Sequence, residues 1–354
     1  MKITIEERVL HFRQPAGTSR GVYTERRIWL VKVSDGAAVG IGECAPLPQL
    51  SCDDVPNYAE LLRRFCDDVE RTGEIDSEAM RDSPSMLFGL ETALLDLRSK
   101  VNCQLSTVNC QLSGKGVLFD TGFSRGEEGI PINGLVWMGT FDEMQQRIEQ
   151  KLSQGFRCVK LKIGAIGFDD ELELIRNIRS RFSHREVELR VDANGAFSVD
   201  EALSKLEQLS QYALHSIEQP IKAGQWGSMA ELCRESPLPI ALDEELIGIN
   251  DPDEKRQMLS IINPDYIILK PSLHGGMTGV REWVEIARDM DIKSWITSAL
   301  ESNIGLNAIA QLCSDIYGPH ITMPQGLGTG QLFTDNIPMP LEIRGSQLWI
   351  STNS

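Results

Sequence analysis

From Ile130 onward, short apolar runs alternate with longer amphipathic segments, and most of the runs end on a polar or charged residue. Ile132 to Trp137, Val159 to Lys162, Leu189 to Asp192, Ser216 to Glu218, Ile240 to Asp243, Tyr266 to Lys270, Ser294 to Ser298 and His320 to Met323 read as eight strands. The segments between them read as helices. Ser198 and Glu201 form a capping box ahead of Ala202, Leu203, Leu206 and Leu209, and Val280, Trp283, Ile286 and Ala287 recur at helical spacing. Pro220, two after Glu218, and Pro271, directly after Lys270, stop strands where loops should begin.

The run ends keep a period. From Lys162 through Asp192, Glu218, Asp243 and Lys270 to Ser298 the steps are 30, 26, 25, 27 and 28 residues, and similar steps outward reach Val136 and Met323. One strand, one helix and two loops have that length, so the pattern predicts an α/β fold, a (β/α)8-type barrel over residues 126–333. Residues 1–125 lack the repeat and read as an α+β domain. Met1 to Glu6, Ile28 to Val33 and Val39 to Glu43 alternate as strands, Pro15 to Gly21 reads as a polar loop, and Asp54 to Val69 and Ser83 to Lys100 read as helices. Within residues 334–354, Leu341 to Ile343 and Gln347 to Ile350 suggest a hairpin returning to the first domain. Val101 to Ser106 recurs as Val108 to Ser113, a local duplication that lengthens a connection, and Gly114 to Gly129 reads as linker.

Successive strand residues face opposite sides, so Lys160 and Lys162 share a face. An isolated pair of this kind is more often solvated than buried. If buried, two cations crowd each other, and at least one amine should have a lowered pKa and serve as a base. Residues at the carboxyl ends of barrel strands converge on one mouth, which brings Lys160, Lys162, Asp192, Glu218, Asp243 and Lys270 together. Three carboxylates there cannot all stay ionised without a cation, and all-oxygen ligation favours Mg2+. Each acid alone would read as an exposed strand-end carboxylate. Their common register makes that reading improbable.

The formal net charge of −16 argues against nucleic acid or an anionic membrane as partner, and requires local cations to hold an anionic substrate. Eight cysteines without CxxC spacing read as free thiols of a reducing compartment. The start of the chain lacks a signal-peptide core and no run has transmembrane length, so a cytoplasmic protein is expected, as monomer or homo-oligomer.

With the KxK pair, Asp192-Ala193-Asn194, Glu218-Gln219-Pro220, Asp243-Glu244 and Lys270-Pro271-Ser272, the chain resembles the enolase superfamily in its muconate-lactonizing subgroup. Gly42 to Pro48, Leu269 to Leu273 with Gly275, and Ser298 to Gly305 are similar to a branch that dehydrates a succinyl-bearing cyclohexadiene carboxylate in menaquinone biosynthesis. The resemblance covers essentially the whole chain. It implies a modified barrel under an α+β capping domain, with loops around 15 to 23 and 45 to 51 closing over the mouth. It implies Asp192, Glu218 and Asp243 as Mg2+ ligands and Lys162 as general base, then general acid. Lys160 and Ser298 would contact a small anionic carboxylate substrate, and Lys270 would stabilise the anion from the opposite wall. Asn194 would act beside them, chiefly by orienting Asp192. Glu43 and Glu301 stand as structural acids near the mouth, and Asn303 departs from the second serine common among relatives. N-succinylamino acid racemase, dipeptide epimerase and muconate cycloisomerase activities share the fold, base and metal. Against the epimerase, Thr322 to Gly330 holds no acid for a substrate ammonium, and its glycines suit a carboxylate. A Schiff-base aldolase would not need three acids, and a metal-binding scaffold would not need paired lysines.

Overall fold

The computed structural model describes residues 1–18, 21–36, 38–105 and 116–351. At the amino end, β1 (Lys2–Thr18), β2 (Gly21–Asp35) and β3 (Ala38–Cys44) form an antiparallel sheet in that order. Helices α1 (Tyr58–Thr72) and α2 (Pro84–Leu105) pack on one face of it around Val31, Val33, Leu62, Val69, Met86 and Leu90. Sheet and helix approach closely: a Cβ at Gly42 would sit 1.9 Å from the carbonyl oxygen of Gly89, so glycine is required there. The expected loop at Pro15 to Gly21 is instead mostly strand. Ala16 pairs with Tyr23 and Thr18 with Gly21 after a register shift following His11, and this irregularity absorbs the turn-forming residues without ending the ladder. Of the duplicated segment, residues 106–113 lie outside the described residues.

The second half opens with β4 (Ile130–Pro131) and β5 (Gly134–Val136). Six more strands follow, each after a helix: α3 (Phe141–Ser153), β6 (Cys158–Lys162), α4 (Phe168–Arg179), β7 (Glu188–Asp192), α5 (Val199–Ser210), β8 (Ser216–Glu218), α6 (Trp226–Glu235), β9 (Ile240–Leu242), α7 (Pro252–Ile262), β10 (Tyr266–Leu269), α8 (Gly276–Asp289) and β11 (Lys293–Ile296). Helix α9 (Asn303–Tyr317) comes next. Strands β5 to β11 form one parallel sheet in chain order. The short strands are almost wholly buried, as expected when helices cover one side and the barrel interior the other. Val159, Leu161, Leu189, Val191, Ile217, Ile240 and Leu242 belong to the core beneath the helices.

The eighth strand is not at His320 to Met323. The barrel closes two residues later, through parallel bridges of Ile132 with Gln325 and of Thr297 with Gly326. Pro324 lacks an N–H for a ladder, and the Gln325 side-chain oxygen accepts the Ile296 N–H at 2.7 Å in place of a strand carbonyl. Buried Arg190 reaches from β7 to the Pro324 carbonyl at 2.9 Å and pins this segment.

The final hairpin, β12 (Leu341–Arg344) and β13 (Gln347–Ile350), also departs from expectation. It pairs with β4 on the barrel rather than with the first-domain sheet, because Leu348 and Ile350 are buried in the barrel core. The preceding stretch does return: Phe12 bridges Phe333, and Arg13 N–H donates to Leu332 O at 2.8 Å. Two acids of the first domain seat on barrel helices. Glu91 accepts from the N–H groups of Met277 and Thr278 at the start of α8, at 2.6 and 3.0 Å. Glu43 accepts from Ser302 and Gly305 N–H at the start of α9, at 2.8 and 2.9 Å. Each carboxylate meets unpaired donors and the positive end of a helix dipole.

Candidate active site

Strand register assembles the site. Lys162 on β6 is level with Asp192 on β7, and Asp192 with Glu218 on β8. Neighbouring strands lie about 4.8 Å apart, so these groups stand in a row across the barrel mouth. Asp243 follows β9 and Lys270 follows β10, extending the row. All eight residues singled out from the sequence, Lys160, Lys162, Asp192, Asn194, Glu218, Asp243, Lys270 and Ser298, line a single cavity of about 100 Å³. Tyr23, Leu47 and Leu50 of the first domain cover it.

Lys160 Nζ lies 2.6 Å from Glu218 and 3.0 Å from Asp192. Lys162 Nζ lies 3.3 Å from the same Asp192 oxygen, donates to Asn194 Oδ1 at 2.7 Å, and sits 5.7 Å from the Trp137 ring centre. Lys270 pairs with Asp243. The ammonium crowding expected at the KxK pair does not govern Lys160. Burial opposes its charge, but the adjacent Asp192 and Glu218 outweigh burial and raise its pKa. Lys270 is raised in the same way, against burial, by Asp243 and Glu244. Among the acids the charges divide. Burial works against ionised Asp192, yet Lys160 and Lys162 hold its pKa below the usual range, whereas burial and then the Asp192 charge push Glu218 well up.

The sequence reading gave Glu244 no role beyond its place in a motif; it lines the cavity and accepts from Asn194 Nδ2 at 2.9 Å. Burial first, then the charges of Asp243 and Asp192, raise its pKa to about 7. The three-acid run Asp243-Glu244-Glu245 was the available signal, and the short helical turn Glu244–Leu246 brings its middle residue to the mouth. Arg26 was missed outright. Only 2% exposed, it donates to the carbonyls of Ala45 at 2.6 Å, Leu300 at 3.3 Å and Ala299 at 3.4 Å, and also to Pro46. It thereby ties the covering loop to a barrel loop whose Ala299 and Leu300 wall the cavity, Leu300 at a left-handed φ of 65°. Ser298 shares a hydrogen bond of 2.6 Å with Thr329 at the closing segment.

The donor chemistry fits a hard cation. Asp192 Oδ2 faces Lys160 and Lys162, but Glu218 Oε1, Asp243 Oδ1 and Glu244 Oε2 are buried without accepting a hydrogen bond, an arrangement that costs free energy unless positive charge answers it. As they stand, no three acid, histidine or cysteine side chains among the described residues are gathered tightly enough to hold an ion, because the lysines reach between the carboxylates.

Opposed lysines, flanking a row of carboxylates at the carboxyl end of a parallel barrel, define an enzyme built for chemistry at an acidic C–H bond. Residues 143–352 match the family model "Enolase C-terminal domain-like" and residues 18–97 match "MenC, N-terminal domain". An o-succinylbenzoate synthase of Desulfotalea psychrophila is 45% identical, with 99% of each chain covered. The crystal structure of MenC from that organism superposes with a TM-score of 0.81 at 40% identity, over 99% of both chains. A Bacillus subtilis o-succinylbenzoate synthase is 24% identical over 99% of this chain and 91% of its own. A dipeptide epimerase of Enterococcus faecalis, complexed with Mg and a dipeptide, shares the fold with a TM-score of 0.79 at 18% identity, over 99% and 96% of the chains. The chain belongs to the enolase superfamily and, within it, to the family of the o-succinylbenzoate synthases, which are carbon–oxygen lyases. No helix among the described residues is long and apolar enough to cross a membrane.

Proposed function

We propose that the protein dehydrates 2-succinyl-6-hydroxy-2,4-cyclohexadiene-1-carboxylate to o-succinylbenzoate, a step of menaquinone biosynthesis. Lys162 takes the proton from the carbon bearing the ring carboxylate. The C6–oxygen bond then breaks, a ring double bond forms, and the same ammonium returns the proton to the departing hydroxide, so that water leaves and the ring becomes aromatic. Asn194 and Trp137 hold Lys162 in place for both transfers. Lys270, on the opposite wall, and Lys160 place positive charge beside the anion formed between them. Asp192, Glu218 and Asp243 would hold Mg2+, which would supply the positive charge to offset the second negative charge on the ring carboxylate.

The observation that carries this reading is the set of buried carboxylate oxygens without hydrogen bonds, set between Lys162 and Lys270 in one cavity. A succinyl carboxylate suits the wall of Gly326, Gly328 and Thr329, which offers no acid to hold a dipeptide ammonium. Cytoplasmic placement agrees with the free thiols of Cys44, Cys52, Cys66, Cys158, Cys233 and Cys313. The test is a substrate panel with purified protein and Mg2+. Formation of o-succinylbenzoate well above turnover of N-succinylamino acids and dipeptides is expected; dipeptide epimerisation without dehydration would contradict it.

A further inference from the structure

A second cavity, of about 450 Å³, lies against the barrel wall beside α3. Its walls carry Arg13, Arg147 and Lys151 together with four glutamines, and no aspartate or glutamate. In a chain with 51 acids and 35 lysines and arginines, such a wall selects for negative charge. Neither Arg13 nor Lys151 has a carboxylate partner among the described residues. The Lys151 stem lies over Gly134, where an added Cβ would come within 3.1 Å of it, and its ammonium stands 5.2 Å from the Phe156 ring centre. Arg147 donates to the carbonyls of Trp137 and Met138, at 3.0 and 2.9 Å, tying this wall to the end of β5.

The two cavities adjoin. Asn133, Leu135, Trp137, Gly328 and Thr329 face both of them. Between them runs the barrel seam, which is hydrogen-bonded at its base: Gln325 N–H donates to Pro131 O at 2.8 Å and Asn133 N–H to Gln325 O at 3.0 Å. Beyond Asn133, no backbone hydrogen bond among the described residues joins β5 to residues 326–330. The seam thus lacks backbone hydrogen bonds where the cavity that holds Lys160 and Lys162 lies behind it.

We propose that this cavity is an anion site for small dicarboxylates, which collects the substrate beside the seam before it enters the catalytic cavity. The inference rests on the reading of the substrate as a dicarboxylate. Free cations and side-chain amides are the groups that hold carboxylates, and a positive wall on a strongly negative protein raises the local concentration of an anion that the whole molecule repels.

The probe is succinate, titrated calorimetrically against the full-length protein at several NaCl concentrations. Wild type is expected to bind it, less tightly as salt rises, and Arg13→Gln/Lys151→Gln to bind about ten-fold more weakly. Lys270→Ala, in the catalytic cavity, is expected to leave succinate binding intact. With the cyclohexadiene substrate, the double variant should show a several-fold lower kcat/KM at low salt with kcat retained. Circular dichroism and thermal melting compare the folds, and each single variant, expected to show part of the loss, repeats the test if the double variant is unfolded. Succinate binding that ignores the double substitution, or vanishes in Lys270→Ala, overturns the proposal, as does an unchanged kcat/KM. If no variant or wild type turned over the cyclohexadiene acid, salt-dependent succinate binding lost with Arg13 and Lys151 would still uphold the site while the dehydratase reading failed.

Discussion

Lys162 donates to the side-chain oxygen of Asn194 at 2.7 Å, and the amide nitrogen of that same side chain donates to Glu244 at 2.9 Å. The acid fixes which way the amide points, and the amide fixes the base. Asn194→Ala is therefore expected to lower kcat by about 10–100-fold with a smaller change in KM, in the manner of an orienting partner. Glu244→Gln retains an acceptor and should lose less than Glu244→Leu. Steady-state kinetics on the three variants checks the order.

Metal binding has a readout independent of turnover. Asp192→Asn, Glu218→Gln and Asp243→Asn should each abolish or strongly weaken the heat of Mg2+ binding in calorimetry. They should also remove the rise in Tm that saturating Mg2+ gives wild type, since a ligand that binds only the folded state stabilises it by mass action. Chelation should stop activity and Mg2+ restore it.

Arg26 satisfies four carbonyls from two segments that wall the cavity. Arg26→Met leaves those oxygens buried without donors, at a cost on the order of 3 kcal/mol in denaturant unfolding. The Leu47 and Leu300 walls lose their common anchor, so KM is expected to rise more than kcat falls.

Glu91 joins the first domain to α8, and burial raises its pKa from 4.5 to about 7, against the hydrogen bonds from Thr278 and Met277. The folded state therefore binds this proton more tightly than the unfolded state. Its contribution is complete below about pH 4.5 and declines as the pH rises towards 7. Glu91→Gln should remove that part of the slope, so the stability difference between wild type and variant should shift in favour of the variant across this window. Unfolding curves at pH 4.5, 6 and 7.5 measure it.

What the sequence disclosed follows from how the signals arise. Lys162, Asp192, Glu218, Asp243 and Lys270 were legible because each ends a buried strand, and a constant strand-helix length keeps them in step. That step misplaced the closing strand, since Gln325 makes with its side chain a hydrogen bond that a regular strand makes with its backbone. Pro15 to Gly21 carries turn residues, but their effect depends on pairing with Tyr23 and Val22 across a register shift, which local propensity does not encode. Arg26 and Glu91 act across the interface between the two halves, and no local pattern announces a cation that meets carbonyls 274 residues away. The partner of the last hairpin, β4, was hidden for the same reason.

The most direct test of the central claim is Lys162→Ala, assayed with Mg2+ for conversion of the cyclohexadiene acid to o-succinylbenzoate by the change in ultraviolet absorbance. A fall in turnover of at least about 10²–10⁴-fold is expected, the range general acid–base catalysis supplies, with Mg2+ binding and the melting transition preserved. Turnover within a few-fold of wild type would contradict the assignment of Lys162 as the base.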